Sequence, residues 1–175
     1  AHCIFDEKNG NAVYKNWTVY PGYNFGSYYG TACGWSKVYY SSKWIETHNY
    51  EYDWAICVLE SDVGNQVGWF GVQSYGSNSE LNGISVRLLG YPADNNYGFL
   101  ADAVYQYETG EKITSVTDRH FNYSAYTFKG FSGGPIIRSD NYIVGIHQGK
   151  SSNFLPTGVR ITQEMINIIR NINNS

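Results

Sequence analysis

The sequence has few charges, and neither sign dominates. Charged residues make up 15% of the 175 residues, and the net charge is −3 at pH 7. Proteins that bind nucleic acid usually present a basic surface to its phosphates, so we expect no nucleic-acid partner. Long apolar runs are also missing, since none approaches the roughly 18 residues that would suggest a membrane span. We therefore expect no membrane partner either.

Cysteine is scarce, with only Cys3, Cys33 and Cys57. These residues form no Cys-x-x-Cys spacing and no Cys/His cluster, so we expect no metal site. An odd number of cysteines indicates a free thiol or a partner outside this sequence. For Cys57 two interpretations stay open, a buried apolar residue or a disulfide with Cys33.

Aromatic residues and glycines are abundant, which favours short strands joined by tight turns. The chain is long enough for one domain with a substantial core. Short apolar runs separated by turn residues predict strands of an antiparallel barrel at 84–89, 99–107, 113–116 and 123–128. Apolar residues at helical spacing over 162–172 predict a C-terminal helix that begins near Thr162. The expected fold class is mostly β.

One stretch carries a chemical signal, the segment 127–135 with the sequence Thr-Phe-Lys-Gly-Phe-Ser-Gly-Gly-Pro. Gly130 permits a tight turn in which the N–H groups of Gly130 and Ser132 can point into one space. Paired donors of this kind stabilise the negative charge that develops during acyl transfer, with Ser132 as the nucleophile. The alternative is a plain turn between two strands, because Gly, Ser and Pro are common turn residues.

The run Gly130-Phe131-Ser132-Gly133-Gly134-Pro135 resembles the nucleophile loop of the chymotrypsin-like serine proteases. Ala1-His2-Cys3 is similar to the end of that family's histidine motif, and Asp53-Trp54-Ala55-Ile56 is similar to its aspartate motif. The order His, Asp, Ser is also the order in that family. The resemblance implies that His2 is the base and Asp53 orients it, while the Gly130 and Ser132 amides form the oxyanion hole. For Asp53 the alternative is a loop residue that caps a turn.

Segments 16–24, 64–69 and 90–94 are similar to bacterial glutamyl endopeptidases. In that branch a histidine at the place of His147, and a hydroxyl five residues before the nucleophile, here Thr127, bind the glutamate side chain of the substrate. A carboxylate accepts hydrogen bonds and does not donate them, so imidazole and hydroxyl donors suit it. Lys129 either steers acidic substrates or is a solvated rim residue. The alternative for His147 is a strand-end histidine bonded to a neighbouring carbonyl.

The resemblance covers nearly the whole chain. It implies a chymotrypsin-like double antiparallel β-barrel with a truncated first barrel and a C-terminal α-helix, in one protease domain. Residues 1–70 would be the remainder of the N-terminal barrel, and residues 71–175 the C-terminal barrel and helix. The implied activity is hydrolysis of peptide and protein substrates after Glu or Asp by a secreted, disulfide-containing monomer without a cofactor. Two alternatives stay open: an inactive protease fold used as a binding module, and an active serine protease of different specificity.

The chain opens within the histidine motif, so we expect a processed form or a fragment. An upstream segment would supply the first strands and a cysteine partner for Cys3. Loss of several strands can exceed the roughly 5–15 kcal/mol by which domains are stable. We therefore expect the isolated chain to be inactive or unstable, and a form extended upstream of Ala1 to be active.

Overall fold

The computed structural model describes residues 1–6, 10, 12–93 and 104–174. Asp94 of the expected 90–94 turn, and most of the strand expected at 99–107, lie outside the described residues. The chain divides into two compact units, Ala1–Trp69 and Phe70–Ser175. Among the described residues, no helix is both long and apolar enough to cross a membrane.

The first unit contains two small antiparallel sheets and short helices. Strands β1 (Phe5–Asp6) and β2 (Ala12–Val13) form one sheet, and β3 (Trp35–Tyr40) pairs with β4 (Ala55–Leu59) in the other. Between β3 and β4 lie helix α1 (Ser42–Thr47) and a 3₁₀ turn (Tyr50–Tyr52), and helix α2 (Gly64–Val67) follows β4. The polar stretch 41–50 thus contains a helix. Trp44 explains it, because this side chain is only 1% exposed and packs α1 onto the unit.

Of the two interpretations left open for Cys57, the structure does not support the disulfide with Cys33, since all three cysteines are free thiols. In the β3–β4 ladder Cys57 lies opposite Val38, and Trp35 is already at the far end of the ladder. The three residues from Val38 back to Trp35 span about 10 Å of extended strand, and Cys33 lies beyond them. A disulfide requires Cα atoms within about 7 Å. Cys57 is instead a half-buried thiol, close to the other interpretation.

The second unit is built around one large sheet. Its strands run in the order β7-β6-β10-β11-β12-β9-β8, and β5 adds to β11 in parallel. These strands are β5 (Gly71–Val72), β6 (Val86–Gly90), β7 (Tyr107–Thr109), β8 (Ile113–Val116), β9 (His120–Tyr123), β10 (Pro135–Arg138), β11 (Tyr142–Lys150) and β12 (Pro156–Arg160). A bridge between Ser85 and Lys112 joins the start of β6 to the start of β8. The sheet therefore closes into a barrel. The strand expected at 123–128 is not present, because β9 covers His120–Tyr123 and residues 124–128 belong to no strand.

The core of the second unit lies inside this barrel. Buried side chains from five strands, the loop that carries Phe131 and helix α3 (Asn78–Leu81) form it: Leu81, Val86, Leu88, Ile113, Phe121, Tyr123, Phe131, Ile136 and Val144. Helix α4 (Gln163–Asn173) ends the chain. The Thr162 hydroxyl caps it by accepting from the Met165 N–H, which confirms the expected helix start.

Candidate active site

Asp53 and His2 form a hydrogen-bonded pair in the first unit. Asp53 lies between the 3₁₀ turn and β4, and its side chain is 1% exposed. Its Oδ2 atom is 2.6 Å from His2 Nδ1. The main-chain nitrogens of Ala1 and His2 lie 2.6 and 2.7 Å from Oδ1. This arrangement fixes the imidazole ring and leaves its Nε2 atom for proton transfer.

The contact between His2 and Asp53 shifts the pKa values of these two residues in opposite directions. The hydrogen bond with Asp53, with a further one to the Cys3 thiol, raises the pKa of His2 well above its ordinary 6.5. Burial alone would raise the pKa of Asp53, but the hydrogen bonds from His2 and the main chain outweigh it and hold that pKa below 3.8. Asp53 is therefore a carboxylate at neutral pH and stabilises the imidazolium form of His2.

The loop that carries Ser132 is anchored by its neighbours. Phe131 is 2% exposed and packs into the barrel core. Gly130 has φ +92°, and a Cβ atom there would overlap the Tyr91 carbonyl oxygen and lie 2.9 Å from the Ala93 nitrogen. Only glycine fits this position without strain.

The main-chain N–H groups of this loop divide into two sets. Those of Phe131, Gly133 and Gly134 donate to carbonyl oxygens of the protein, at 3.3, 2.8 and 2.9 Å. In the part of the chain that the structure describes, the N–H groups of Gly130 and Ser132 donate to no hydrogen bond. The two donors expected to form an oxyanion hole are therefore the ones that the fold leaves available.

The Ser132 loop is bonded to strand β11. Gly133 N–H donates to the His147 carbonyl oxygen, and His147 N–H donates to the Gly134 carbonyl oxygen, both at 2.8 Å. The Ser132 hydroxyl donates to the carbonyl oxygen of Gln148 at 3.1 Å. The structure thus brings Ser132 next to the strand that carries His147. That histidine lies within β11, rather than beyond its end.

His147 is buried, with 2% exposure, and its Nδ1 atom lies 2.7 Å from the hydroxyl oxygen of Tyr123. The sequence did not single out Tyr123, which shares the inward face of β9 with Phe121. The alternating pattern of this strand marks Tyr123 as a core residue, but only the pairing of β9 with β12, and of β12 with β11, brings it to His147.

The other two expected substrate-binding residues differ in exposure. Thr127 is half-buried, and Lys129 is exposed. Neither side chain makes a hydrogen bond or an ion pair within the described residues, so both are available to a ligand. The main chain of Lys129 is fixed, because its carbonyl oxygen accepts from Ala93 N–H at 2.7 Å.

The candidate residues are divided between the units. His2 and Asp53 belong to the first, while Ser132, Gly130, Thr127, Lys129 and His147 belong to the second. Within the described ranges, no three His, Cys, Asp or Glu side chains come together as metal ligands would.

Comparison with known proteins gives one family and several relatives. The family described as "Trypsin" matches residues 1–167. A protein named extracellular metalloprotease, from Bacillus subtilis (strain 168), is 30% identical over 97% of this chain and 52% of its own length. A glutamyl endopeptidase from Bacillus licheniformis is 30% identical over 99% of this chain and 55% of its own length. The chain thus spans about half the length of these relatives.

A solved structure of a Glu endopeptidase in complex with MPD has the same fold. It superposes with a TM-score of 0.86 at 24% identity, covering 99% of this chain and 79% of that one. The expected fold class, mostly β and chymotrypsin-like with a C-terminal helix, is confirmed.

Proposed function

The chain belongs to the trypsin family, and on that premise we propose that it is a serine endopeptidase with His2, Asp53 and Ser132 as its catalytic triad. The observation that carries the proposal is the buried Asp53 carboxylate bonded to His2 Nδ1 at 2.6 Å. Because Nδ1 is bonded to Asp53, His2 can act as a base through Nε2.

In the proposed mechanism, Ser132 Oγ attacks the scissile carbonyl carbon while His2 Nε2 takes the hydroxyl proton. Asp53 stabilises the imidazolium that forms. The N–H groups of Gly130 and Ser132 bind the oxyanion of the tetrahedral intermediate. His2 then gives its proton to the leaving amine, and water hydrolyses the acyl-enzyme by the same steps. No step uses a metal ion.

We further propose that the substrate residue before the scissile bond is acidic. The hydroxyl of Thr127 and the imidazole of His147 are the proposed donors to its carboxylate. Support comes from the Ser132 loop itself, whose main chain is bonded to His147 on both sides, and from the two glutamyl endopeptidase relatives. The exposed cation of Lys129 would favour the approach of acidic substrates at low ionic strength.

The substrates would be proteins and peptides outside the cell, met by a secreted, monomeric enzyme. The name of the Bacillus subtilis relative describes that protein as extracellular, which supports secretion.

Covalent labelling tests the nucleophile. A fluorophosphonate probe should modify the full-length protein at Ser132, located by peptide mass spectrometry. Ser132→Ala should abolish labelling, while Ser139→Ala, at an exposed serine of the turn after β10, should retain it. A folded protein that takes up no probe would instead favour the inactive binding module.

Specificity needs a separate test. Digestion of an unstructured protein, with the cut sites read by mass spectrometry, should give cuts mainly after Glu, with fewer after Asp. Serine-dependent cuts after other residues would retain the protease and reject the acid-binding role of Thr127 and His147.

A further inference from the structure

Tyr123 and His147 form a buried polar pair inside the barrel of the second unit. The Tyr123 hydroxyl lies 2.7 Å from His147 Nδ1, and the two residues are 1% and 2% exposed. Their rings are nearly perpendicular, at 85°, with centroids 6.0 Å apart. An edge contact with Phe121, at 5.9 Å, holds the Tyr123 ring from another direction. The hydroxyl position is therefore set by core packing.

The direction of the hydrogen bond follows from the chemistry of both groups. Burial raises the pKa of Tyr123 above its ordinary value, so the phenol is protonated at neutral pH. Within the described residues, the Tyr123 hydroxyl has no hydrogen-bond partner other than His147. A buried hydroxyl donates its proton where an acceptor is available. Neutral imidazole offers one acceptor nitrogen, and here Nδ1 faces the hydroxyl.

We propose that Tyr123 is a positioning residue for substrate specificity, whose hydroxyl donates to His147 Nδ1 and thereby keeps the imidazole proton on Nε2. This inference rests on the proposed function, in which His147 donates to an acidic substrate side chain. A carboxylate only accepts hydrogen bonds, so the Nε2–H tautomer can bind it. The opposite tautomer would turn a lone pair toward it.

The main chain supports the same role. Hydrogen bonds on both sides of His147, to Gly133 and Gly134, fix its backbone, and the Tyr123 hydroxyl fixes its ring. Because both its backbone and its ring are fixed, His147 loses little conformational freedom when the substrate binds. If Tyr123 had a purely structural role, its hydroxyl would not need to select one imidazole tautomer. Its removal would then leave the choice of substrate unchanged.

The test compares Tyr123→Phe with a matched control in the full-length protein. Tyr126→Phe removes the hydroxyl of a tyrosine three residues away that is 84% exposed. For each protein, kcat/KM is measured on two peptides that differ only in Glu or Gln before the scissile bond. We expect Tyr123→Phe to lower the value for Glu about tenfold or more, because a bond to a charged group is weakened. The value for Gln should change less than about threefold, and Tyr126→Phe should change neither.

A spectroscopic measurement gives a second readout. The ¹⁵N chemical shifts of His147, in protein labelled at histidine, should show Nε2 protonated and Nδ1 unprotonated. In Tyr123→Phe the two shifts should move toward each other as the tautomers mix. Unchanged shifts in Tyr123→Phe, or a wild-type protein with its proton on Nδ1, would overturn the inference.

The outcomes separate this inference from the proposed function. One outcome is a wild-type protein that prefers Glu and a Tyr123→Phe variant in which kcat/KM falls equally for the Glu and Gln peptides, or for neither. In that case Tyr123 is only structural and the acid preference stands. If the wild-type protein shows no preference for Glu, the acid preference fails and the role of Tyr123 fails with it. Fluorophosphonate labelling of Tyr123→Phe at the wild-type level shows that the variant is folded and that its nucleophile is intact.

Discussion

Gly130 combines a positive φ with a site that has no room for a side chain. We predict that Gly130→Ala lowers kcat by about 10²–10³-fold, the effect of losing one oxyanion-hole donor. The added methyl would overlap the Tyr91 carbonyl oxygen and force the loop to move. The measurement is kcat on a Glu peptide, with folding checked by circular dichroism.

Gly76→Ala is the matched control for that variant, because no atom lies closer than 3.8 Å to its added methyl and its φ is not positive. It should keep wild-type kcat. A Gly130→Ala protein with unchanged kcat would contradict the assignment of this amide to the oxyanion hole.

His2 should set the acidic limb of the activity profile. A general base must be neutral, so kcat/KM rises as pH rises through the pKa of His2, which Asp53 raises above 6.5. We predict a midpoint above pH 6.5 in the wild-type protein. In Asp53→Asn the midpoint should move down, and the plateau should fall by about 10⁴-fold.

The control for the pH profile is His48→Asn, which replaces an exposed histidine of the same unit with a residue that tolerates its positive φ of 50°. This variant should keep the wild-type midpoint. A wild-type midpoint at or below 6.5 would argue that His2 is not the base.

The sequence predicts the reacting residues better than their supports. His2, Asp53 and Ser132 are proposed from short motifs in a known order, because the chemistry restricts which residues can stand there, and their roles stay a prediction. Phe131 and Tyr123 carry no such signal. Each is one aromatic residue among many, and only the barrel brings Phe131 into the core and Tyr123 to His147.

Strands and helices show a similar division. The strand at 113–116 and the C-terminal helix lie where periodicity and capping residues predict them. Helix α1 does not, since one buried tryptophan within a polar stretch holds it. Residues 12–19 show a moderate alternation of apolar and polar side chains, but only Ala12–Val13 form a strand, followed by an isolated bridge from Val19 to Cys33. Local alternation cannot show whether a partner strand continues.

Helix α4 allows a test of stability that leaves the site alone. We predict that Thr162→Ala lowers the free energy of unfolding by about 1 kcal/mol, since the Met165 N–H loses its cap. For a protein of this size, Tm should fall by about 2–4 °C. Thr162→Ser keeps the hydroxyl and should retain most of the stability, as measured by thermal unfolding. Equal losses in the two variants would show that the methyl group matters, not the cap.

For the whole molecule, the name of one relative raises the question of a metal. The described residues hold no ligand set that fits a metal ion, and the proposed mechanism needs none. We predict that EDTA leaves peptide hydrolysis within about twofold of its untreated rate, whereas a fluorophosphonate abolishes it. Loss of activity with EDTA, restored by a divalent cation, would reject the mechanism in its present form.

The division into one protease domain with two barrels stays a prediction. The triad likewise requires His2 and Ser132, from different units, to act on one substrate. Peptide hydrolysis by the proposed triad needs residues of both units, so hydrolysis is the property that tests it.

The most direct measurement is therefore kcat/KM of the full-length protein on three peptides that differ only in Glu, Gln or Phe before the scissile bond, with Ser132→Ala beside it. We predict cleavage that prefers Glu by at least about tenfold over both other peptides and that disappears in Ser132→Ala. Cleavage that survives Ser132→Ala, or a correctly folded protein that cleaves none of the three, would contradict the account.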